Sequence, residues 1–245
     1  MPRRARTISN SGYYHVVMRG IGKQILFEER ADYLRFLETL ERYLSEEPFD
    51  VLAYCLMENH VHLLLHTQSG LERIMKRIAG SYAYYFNNKY ERSGHLFQDR
   101  FSSEPIDSDS YLLAVVRYIH NNPQKAGICA RENYPWSSWQ SYMGKAGVVS
   151  TRLILEMTNG SDGFRVFSAG VDEVECLDIS ESRRISDNEA LRIIKEDLHL
   201  KSGTELQSME RKKRDDILKA LKTKGLSIRQ IERLTGINRG VIHNA

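Results

Sequence analysis

The alternation of apolar and polar residues predicts strands and helices that follow one another along residues 13–123. Four short apolar segments read as strands: YYHVVMR, FDVLAYCLM, HVHLLLHT and GHLFQDRFSSEPI. Three longer segments carry apolar residues at helical spacing: ERADYLRFLETLERYLSEEP, GLERIMKRIAGSYAYYFNNKY and DSDSYLLAVVRYIHNNP. The order β-α-β-β-α-β-α predicts an α+β fold, with a ferredoxin-like antiparallel sheet and helices on one face.

Capping residues and prolines define the ends of the predicted helices. The first helix is expected to stop before Pro48, because proline disfavours a helical conformation in the residue that precedes it. For the third helix, either Ser108 or Asp109 can act as the N-cap. The same helix is expected to end at Pro123.

The pattern changes after residue 145, so the sequence predicts three parts. Residues 1–145 form the α+β domain, which the strand and helix order defines. Residues 146–184 are mixed in character and are expected to be a linker or an irregular segment. Residues 185–245 are basic and helical in pattern, and are expected to form a small all-α domain.

The end of the chain, LSIRQIERLTGINRGVIHNA, has the spacing of a helix-turn-helix. Ser227 can cap a short helix, and Gly236 permits the turn that follows. A second helix would be anchored by Ile237, Val241 and Ile242. A generic helical hairpin has the same pattern, so DNA binding by this segment is a hypothesis with a structural alternative.

Composition indicates the class of protein without indicating its function. The 245 residues are 41% hydrophobic and 27% charged, as in ordinary soluble globular proteins. The net charge of +3 is compatible with binding to nucleic acid but does not demonstrate it. The three cysteines are far apart, which argues against a disulfide framework or a zinc finger and favours the cytoplasm. No apolar run approaches the roughly 20 residues of a membrane span, so no membrane partner is expected.

Two histidines interrupt the apolar segment MENHVHLLL. Because side chains alternate along a strand, His60 and His62 face the same way, about 7 Å apart along the strand. Such a pair could bind one metal ion or one phosphate. The structural alternative is two histidines that only form hydrogen bonds within the protein, so the pair needs partners elsewhere in the chain.

The segment RYIHNNP supplies such partners. Tyr118 and Asn122 are four residues apart and share one face of the predicted helix. A tyrosine hydroxyl can attack a phosphate if a divalent metal withdraws charge from it. The sequence therefore predicts Tyr118 as the nucleophile and His60, His62 and Asn122 as metal ligands, for Mg²⁺ or, more readily with imidazole ligands, Mn²⁺.

Four ordered segments, ENHVHLLL, GHLFQDRF, RYIHNNPQKAG and YPWSS, resemble the single-tyrosine HUH transposases of bacterial insertion sequences. The resemblance covers about residues 10–143 and is strongest to the REP-associated tyrosine transposases. It implies a metal-dependent homodimer that cleaves and rejoins single-stranded, hairpin-forming DNA through a 5′-phosphotyrosine. The alternatives are a non-catalytic DNA-binding regulator with the same fold, or a nicking replication protein, although the latter's helicase motif, a phosphate-binding Gly-Lys loop, is missing from this sequence.

Basic and polar residues in both predicted domains are candidates for contact with DNA. Those near the sheet are suited to phosphates, although the basic N-terminal arm could also be a solvated tail. Those in the C-terminal segment could bind duplex DNA and read base edges in the major groove. The predicted contacts are Arg3, Arg4, Arg6, Arg19, Gln98, Arg100, Arg229, Asn238 and Arg239.

Overall fold

A computed structural model describes residues 7–68, 70–170, 176–177, 190, 192–197, 203–226 and 228–245, except the side chains of Lys23, Glu196, Asp197 and Arg229. The chain forms two compact units, Met1–Asp178 and Ile179–Ala245. None of the helices in these described ranges is long and apolar enough to cross a membrane.

The first unit is built around a four-stranded antiparallel sheet. Its strands are β1 (Tyr13–Arg19), β2 (Asp50–Met57), β3 (His60–His66) and β4 (Ser102–Ile106). They lie in the order β2-β3-β1-β4, and all adjacent strands are antiparallel. This is the strand order of a ferredoxin-like βαββαβ fold. In such a fold the helix between β1 and β2, and the helix between β3 and β4, each connect two parallel strands that are not adjacent in the sheet. The predicted α+β fold with an antiparallel sheet is confirmed.

Both faces of the sheet are covered by helices. Helices α1 (Arg30–Glu46) and α2 (Leu71–Lys89) pack on the face that carries Val61 and Leu63. Helix α3 (Asp109–Lys125) packs on the opposite face, against Leu64. The prediction that helices lie on one face is therefore wrong for α3. The central strands are apolar on both sides, and an uncovered second face would leave that apolar surface in water.

Helix α3 begins as expected but does not end at Pro123. The hydroxyl oxygen of Ser108 accepts a hydrogen bond from the Tyr111 amide at 3.3 Å, which identifies Ser108 as the N-cap. Pro123 cannot donate to the carbonyl of Ile119, yet the helix continues to Lys125. The Nδ2 of Asn122 lies 3.5 Å from that carbonyl and offsets part of the loss.

Residues 95–101 do not form the predicted strand. They lie beside the end of β1 and form one isolated antiparallel bridge, between Phe97 and Gly20. In this bridge the Ile21 amide donates to the Leu96 carbonyl and the Gln98 amide donates to the Arg19 carbonyl, both at 2.9 Å. Of the predicted strand, only residues 102–106 form a regular strand, β4, which pairs with Tyr13 to Val17 of β1. Leu96 is buried in the core beneath α1 and α2.

The first unit continues after α3 with three short helices. These are α4 (Trp139–Tyr142), α5 (Arg152–Met157) and α6 (Gly160–Ser168). Ile154 and Phe164 are buried in the core beneath α3. The expectation of an irregular linker is therefore wrong for residues 152–168, because helices of 6 and 9 residues are too short to show a clear period. The three-part division of the chain stays a prediction.

The second unit contains α7 (Arg211–Thr223), α8 (Ile228–Thr235) and α9 (Arg239–Asn244). Gly236 adopts a positive φ of 71° between α8 and α9, as a tight turn requires. Ile237 and Ile242 are buried as expected, but Val241 is 38% exposed and does not anchor α9. Ser227, the expected cap, lies outside the described residues. Helix-turn-helix function stays a prediction.

Candidate active site

The histidine pair lies on the face of the sheet that α3 covers. His60 and His62 alternate with Val61 and Leu63, which pack on the other face. The two imidazole rings have centroids 5.0 Å apart and planes inclined by 81°. His62 is fully buried, whereas His60 is only partly buried at the start of β3. The pair therefore extends from the interior of the protein towards solvent.

Tyr118 of α3 lies against this pair. Its ring centroid is 5.6 Å from that of His62, in an edge-to-face arrangement. The side chain is 5% exposed and belongs to the core beneath α3. Because Tyr118 and the histidines come from the same chain, one chain supplies both the predicted nucleophile and the predicted imidazole ligands.

His60 has a defined tautomer in its neutral form. Its Nδ1 lies 2.7 Å from Oδ1 of Asn59, in the turn between β2 and β3. An amide oxygen can only accept a hydrogen bond, so Nδ1 carries the ring proton and Nε2 carries the lone pair. The turn therefore orients His60 in the tautomer that has its lone pair on Nε2, the form that can bind a metal ion.

His62 carries a buried ring nitrogen whose properties suit metal binding. Its Nε2 is buried without a hydrogen-bond partner in the described structure, an arrangement that costs free energy unless a ligand satisfies it. Burial, followed by the neighbouring His15 and His60, holds the pKa of His62 well below its usual value of 6.5. The ring is therefore neutral at neutral pH, and neutral imidazole is the form that binds metals.

The donor set fits a divalent cation with open coordination positions. His60 and His62 offer two imidazole nitrogens on one face. Within the described ranges, no cluster of three or more His, Cys, Asp or Glu side chains is arranged to hold a metal. An amide oxygen, water and phosphate oxygens would therefore complete the coordination of a cation at this pair.

Asn122 contacts its own helix. Its Nδ2 donates to the carbonyl of Tyr118 at 2.9 Å, and the residue is buried. This bond orients the amide group and leaves Oδ1 as the atom that could face a cation. The structure places Asn122 one turn after Tyr118, but its hydrogen bonds explain its position without a metal, so its role as a ligand stays a prediction.

Two side chains beside the site were not predicted from the sequence. His15 of β1 is fully buried, with Nε2 3.0 Å from Nδ1 of His62. Lys125 is exposed near the end of α3, and its Nζ lies 4.5 Å from the ring centroid of Tyr118. The spacing of seven residues from Tyr118 could have indicated Lys125, since it places both on one helix face. Only the pairing of β1 with β3 shows that His15 lies beside the site.

The predicted DNA contacts of the first unit differ in their distance from the site. Arg19 pairs across the sheet with His60, and its Nε is buried without a hydrogen-bond partner in the described structure. Cross-strand partners share a face, so Arg19 flanks the histidine pair. Gln98 and Arg100 are exposed in the segment that lies beside the end of β1. Arg3, Arg4 and Arg6 lie outside the described residues.

The predicted contacts of the second unit have structural roles within it. Oδ1 of Asn238 accepts a hydrogen bond from the Gly240 amide at 2.8 Å and caps α9. Arg239 forms an ion pair with Glu232. The side chain of Arg229 lies outside the description. Base reading by Asn238 and Arg239 would require them to give up these contacts.

Comparison with known proteins gives a consistent result. The family model of IS200-like transposases matches residues 8–122, which span β1 to Asn122 and include the whole histidine and tyrosine cluster. A Haemophilus influenzae protein described as a REP-associated tyrosine transposase is 28% identical over 152 residues, covering 56% of this chain and 84% of that protein.

Two solved structures are similar to part of this chain. A REP-associated tyrosine transposase bound to a REP hairpin has 16% identity and a TM-score of 0.49, covering 61% of this chain and 94% of its own. A transposase of Deinococcus radiodurans has 21% identity and a TM-score of 0.34, covering 49% of this chain and 97% of its own. The family match and the Haemophilus relative show that residues 8–122 are similar to the IS200-like transposases, a family of enzymes that act on DNA.

Proposed function

We propose that this chain is a metal-dependent transposase that cleaves and rejoins single-stranded, hairpin-forming DNA through a covalent tyrosine intermediate. The observation that carries the proposal is the contact of Tyr118 with His62, at a ring-centroid distance of 5.6 Å, on the face that also holds His60. A regulator that only binds DNA has no need for a phenol beside two imidazoles.

The proposed reaction exchanges one phosphodiester for another. The hydroxyl oxygen of Tyr118 attacks the phosphorus, and the bond from phosphorus to the 3′-oxygen breaks. The products are a 5′-phosphotyrosine and a 3′-hydroxyl, which gains a proton as the phenol loses one. Attack by another 3′-hydroxyl on the phosphotyrosine reverses the step and joins strands, so neither water nor an external energy source is consumed.

Each side chain of the site has a separate role in the proposed reaction. His60 and His62, together with Oδ1 of Asn122, would hold Mg²⁺ or Mn²⁺, with Mn²⁺ expected to support activity well because it tolerates imidazole better. The bound cation would act as a Lewis acid on the scissile phosphate. Arg19 flanks the pair and is suited to bind a non-bridging phosphate oxygen.

Lys125 adds positive charge next to the proposed nucleophile. Its ammonium group lies 4.5 Å from the centroid of the Tyr118 ring. A cation at this distance stabilises the negative charge that develops on the phenol oxygen as it loses its proton. Since Lys125 is exposed, we propose that it also contacts the DNA backbone as the strand enters beside Tyr118.

The homodimer is also part of the proposal, and it rests on the family resemblance. Tyr118 lies beside the histidine pair of its own chain, so we propose that each chain completes its own site. We propose that each subunit acts on one strand end, and that dimerisation brings two ends together for rejoining.

Adduct formation tests the proposed function. Single-stranded DNA from the flank of the gene, folded into its hairpin, is incubated with the protein and either Mn²⁺ or EDTA. A protein–DNA adduct on a denaturing gel is expected with Mn²⁺ and not with EDTA. A matched oligonucleotide with the hairpin stem scrambled should give much less adduct. Tight hairpin binding with no adduct under any metal would favour the alternative, a non-catalytic regulator.

Residues 185–245 are proposed to supply affinity for duplex DNA. Arg211, Lys212 and Lys213 are exposed at the start of α7. Because Asn238 and Arg239 have contacts within the unit, we expect this affinity to come mainly from phosphates, with each contact contributing about 0.9 to the slope of log affinity against log salt.

Deleting residues 185–245 should weaken binding to a duplex-containing substrate while sparing cleavage of a short single-stranded one. Titration of full-length and truncated protein at two salt concentrations measures both the affinity and its salt slope. A full-length variant with Lys212→Gln and Lys213→Gln separates loss of charge from loss of the unit, and should flatten the slope. Equal duplex affinity of full-length and truncated protein at both salt concentrations would assign the segment to packing or oligomerisation instead.

A further inference from the structure

We propose that His15 is a positioning residue for the candidate metal site. It accepts the Nδ1 proton of His62 and thereby holds His62 in the tautomer that presents the Nε2 lone pair to a cation. The inference rests on the proposed function, since it concerns a ligand of the same site. It adds a residue of β1 to a site otherwise built from β3 and α3.

The geometry of the two histidines is that of a direct hydrogen bond. Nε2 of His15 lies 3.0 Å from Nδ1 of His62, the ring centroids are 5.3 Å apart, and the ring planes are inclined by only 25°. Both side chains are fully buried. β1 and β3 are the two central strands of the sheet, so the backbone on both sides of the bond is held by neighbouring strands.

A proton count leaves two arrangements for this bond. Both rings are fully buried, and burial without an ion-pair partner disfavours the charged form, so both rings are neutral. Two neutral imidazoles share one proton across an N···N bond. Either His62 donates from Nδ1 and has a lone pair on Nε2, or His15 donates from Nε2 and His62 carries a proton on Nε2.

Only the first arrangement lets His62 bind a metal. Nδ1 of His15 and Nε2 of His62 are both buried without hydrogen-bond partners in the described structure. No protein hydrogen bond at either outer nitrogen therefore favours one tautomer, and a cation at Nε2 of His62 would select the first. Metal-binding histidines commonly donate their second ring N–H to an acceptor in this way, which fixes the ring and raises its basicity.

A packing role for His15 makes a different prediction from a positioning role. The ring also contacts Tyr118, with centroids 5.8 Å apart. If His15 only fills space, phenylalanine should replace it without loss of metal affinity. If it accepts the proton of His62, glutamine should replace it better than phenylalanine, because Oε1 of glutamine can accept a hydrogen bond near the position of Nε2.

Metal binding by the full-length protein without DNA tests the inference. Titration with Mn²⁺, followed by electron paramagnetic resonance of the free ion, gives the affinity of wild type, His15→Phe and His15→Gln. We expect His15→Phe to lose about 10- to 100-fold in affinity, and His15→Gln to recover most of it. His120→Phe is the matched control, because His120 is equally buried but bonds to Ser138, and should bind Mn²⁺ like wild type.

The tautomer itself provides a second readout. In the Mg²⁺-saturated wild-type protein, long-range ¹H–¹⁵N spectra of the imidazoles should place the His62 proton on Nδ1, and this measurement needs no variant. A proton on Nε2 of His62 would overturn the inference. So would unchanged Mn²⁺ affinity in His15→Phe, or equal losses in His15→Phe and His15→Gln. A wild-type protein that binds no Mn²⁺ would instead overturn the metal dependence of the proposed function, and the inference with it.

Discussion

Replacing Tyr118 with phenylalanine should abolish the covalent protein–DNA adduct. The change removes only the hydroxyl group, while the ring keeps its contacts with His15 and His62. Loss of a nucleophile removes the whole covalent pathway, so adduct formation should fall by at least about 10³-fold. The rate of adduct formation with Mn²⁺ and labelled hairpin DNA, resolved on a denaturing gel, measures the effect.

A second tyrosine on the same face of the sheet provides the control. Tyr142 is fully buried, and its hydroxyl donates to the Leu52 carbonyl at 2.7 Å. Tyr142→Phe should lose about 1 kcal/mol of stability and keep its activity. An adduct formed by Tyr118→Phe at the wild-type rate would place the nucleophile elsewhere.

Replacing His60 with alanine should remove cleavage while sparing hairpin binding. The cation is proposed to act on the scissile phosphate, which is separate from the hairpin stem. Loss of an imidazole ligand should lower the cleavage rate by roughly 10²-fold or more, as expected for a Lewis acid that contributes several kcal/mol. His60 suits this test better than His62, because it is only partly buried and its removal leaves the core in place.

His66 is the matched control for His60. It lies on the same strand and the same face, at the opposite end of β3, where its ring is 3.5 Å from a carboxylate oxygen of Asp50. His66→Ala should cleave like wild type. Cleavage and hairpin affinity must be measured on one preparation, because equal loss of both in His60→Ala would mean that the histidine serves folding rather than the cation.

Mixing the two inactive variants tests how the site is assembled. Tyr118 and the histidine pair of one chain lie together, so a mixture of Tyr118→Phe and His60→Ala should stay inactive. Recovery of adduct formation in the mixture would mean that one subunit supplies the tyrosine to the histidines of the other.

The sequence by itself determined the features that depend on local periodicity. Alternation along β3 placed His60 and His62 on one face, and helical spacing placed Asn122 one turn after Tyr118. The strand and helix order, read from apolar spacing and turns, also determined the antiparallel sheet. These inferences hold because a strand or a helix orients its own side chains whatever it packs against.

The tertiary structure alone decided which distant residues meet. His15 precedes His62 by 47 residues, and Arg19 lies opposite His60 only because of the register between β1 and β3. Helix α3 covers the face of the sheet opposite α1 and α2, because the central strands carry apolar residues on both sides. This position brings Tyr118 to the histidines. The register of the strands and the order of the layers depend on packing contacts throughout the domain, and the local spacing of residues in the sequence does not reveal them.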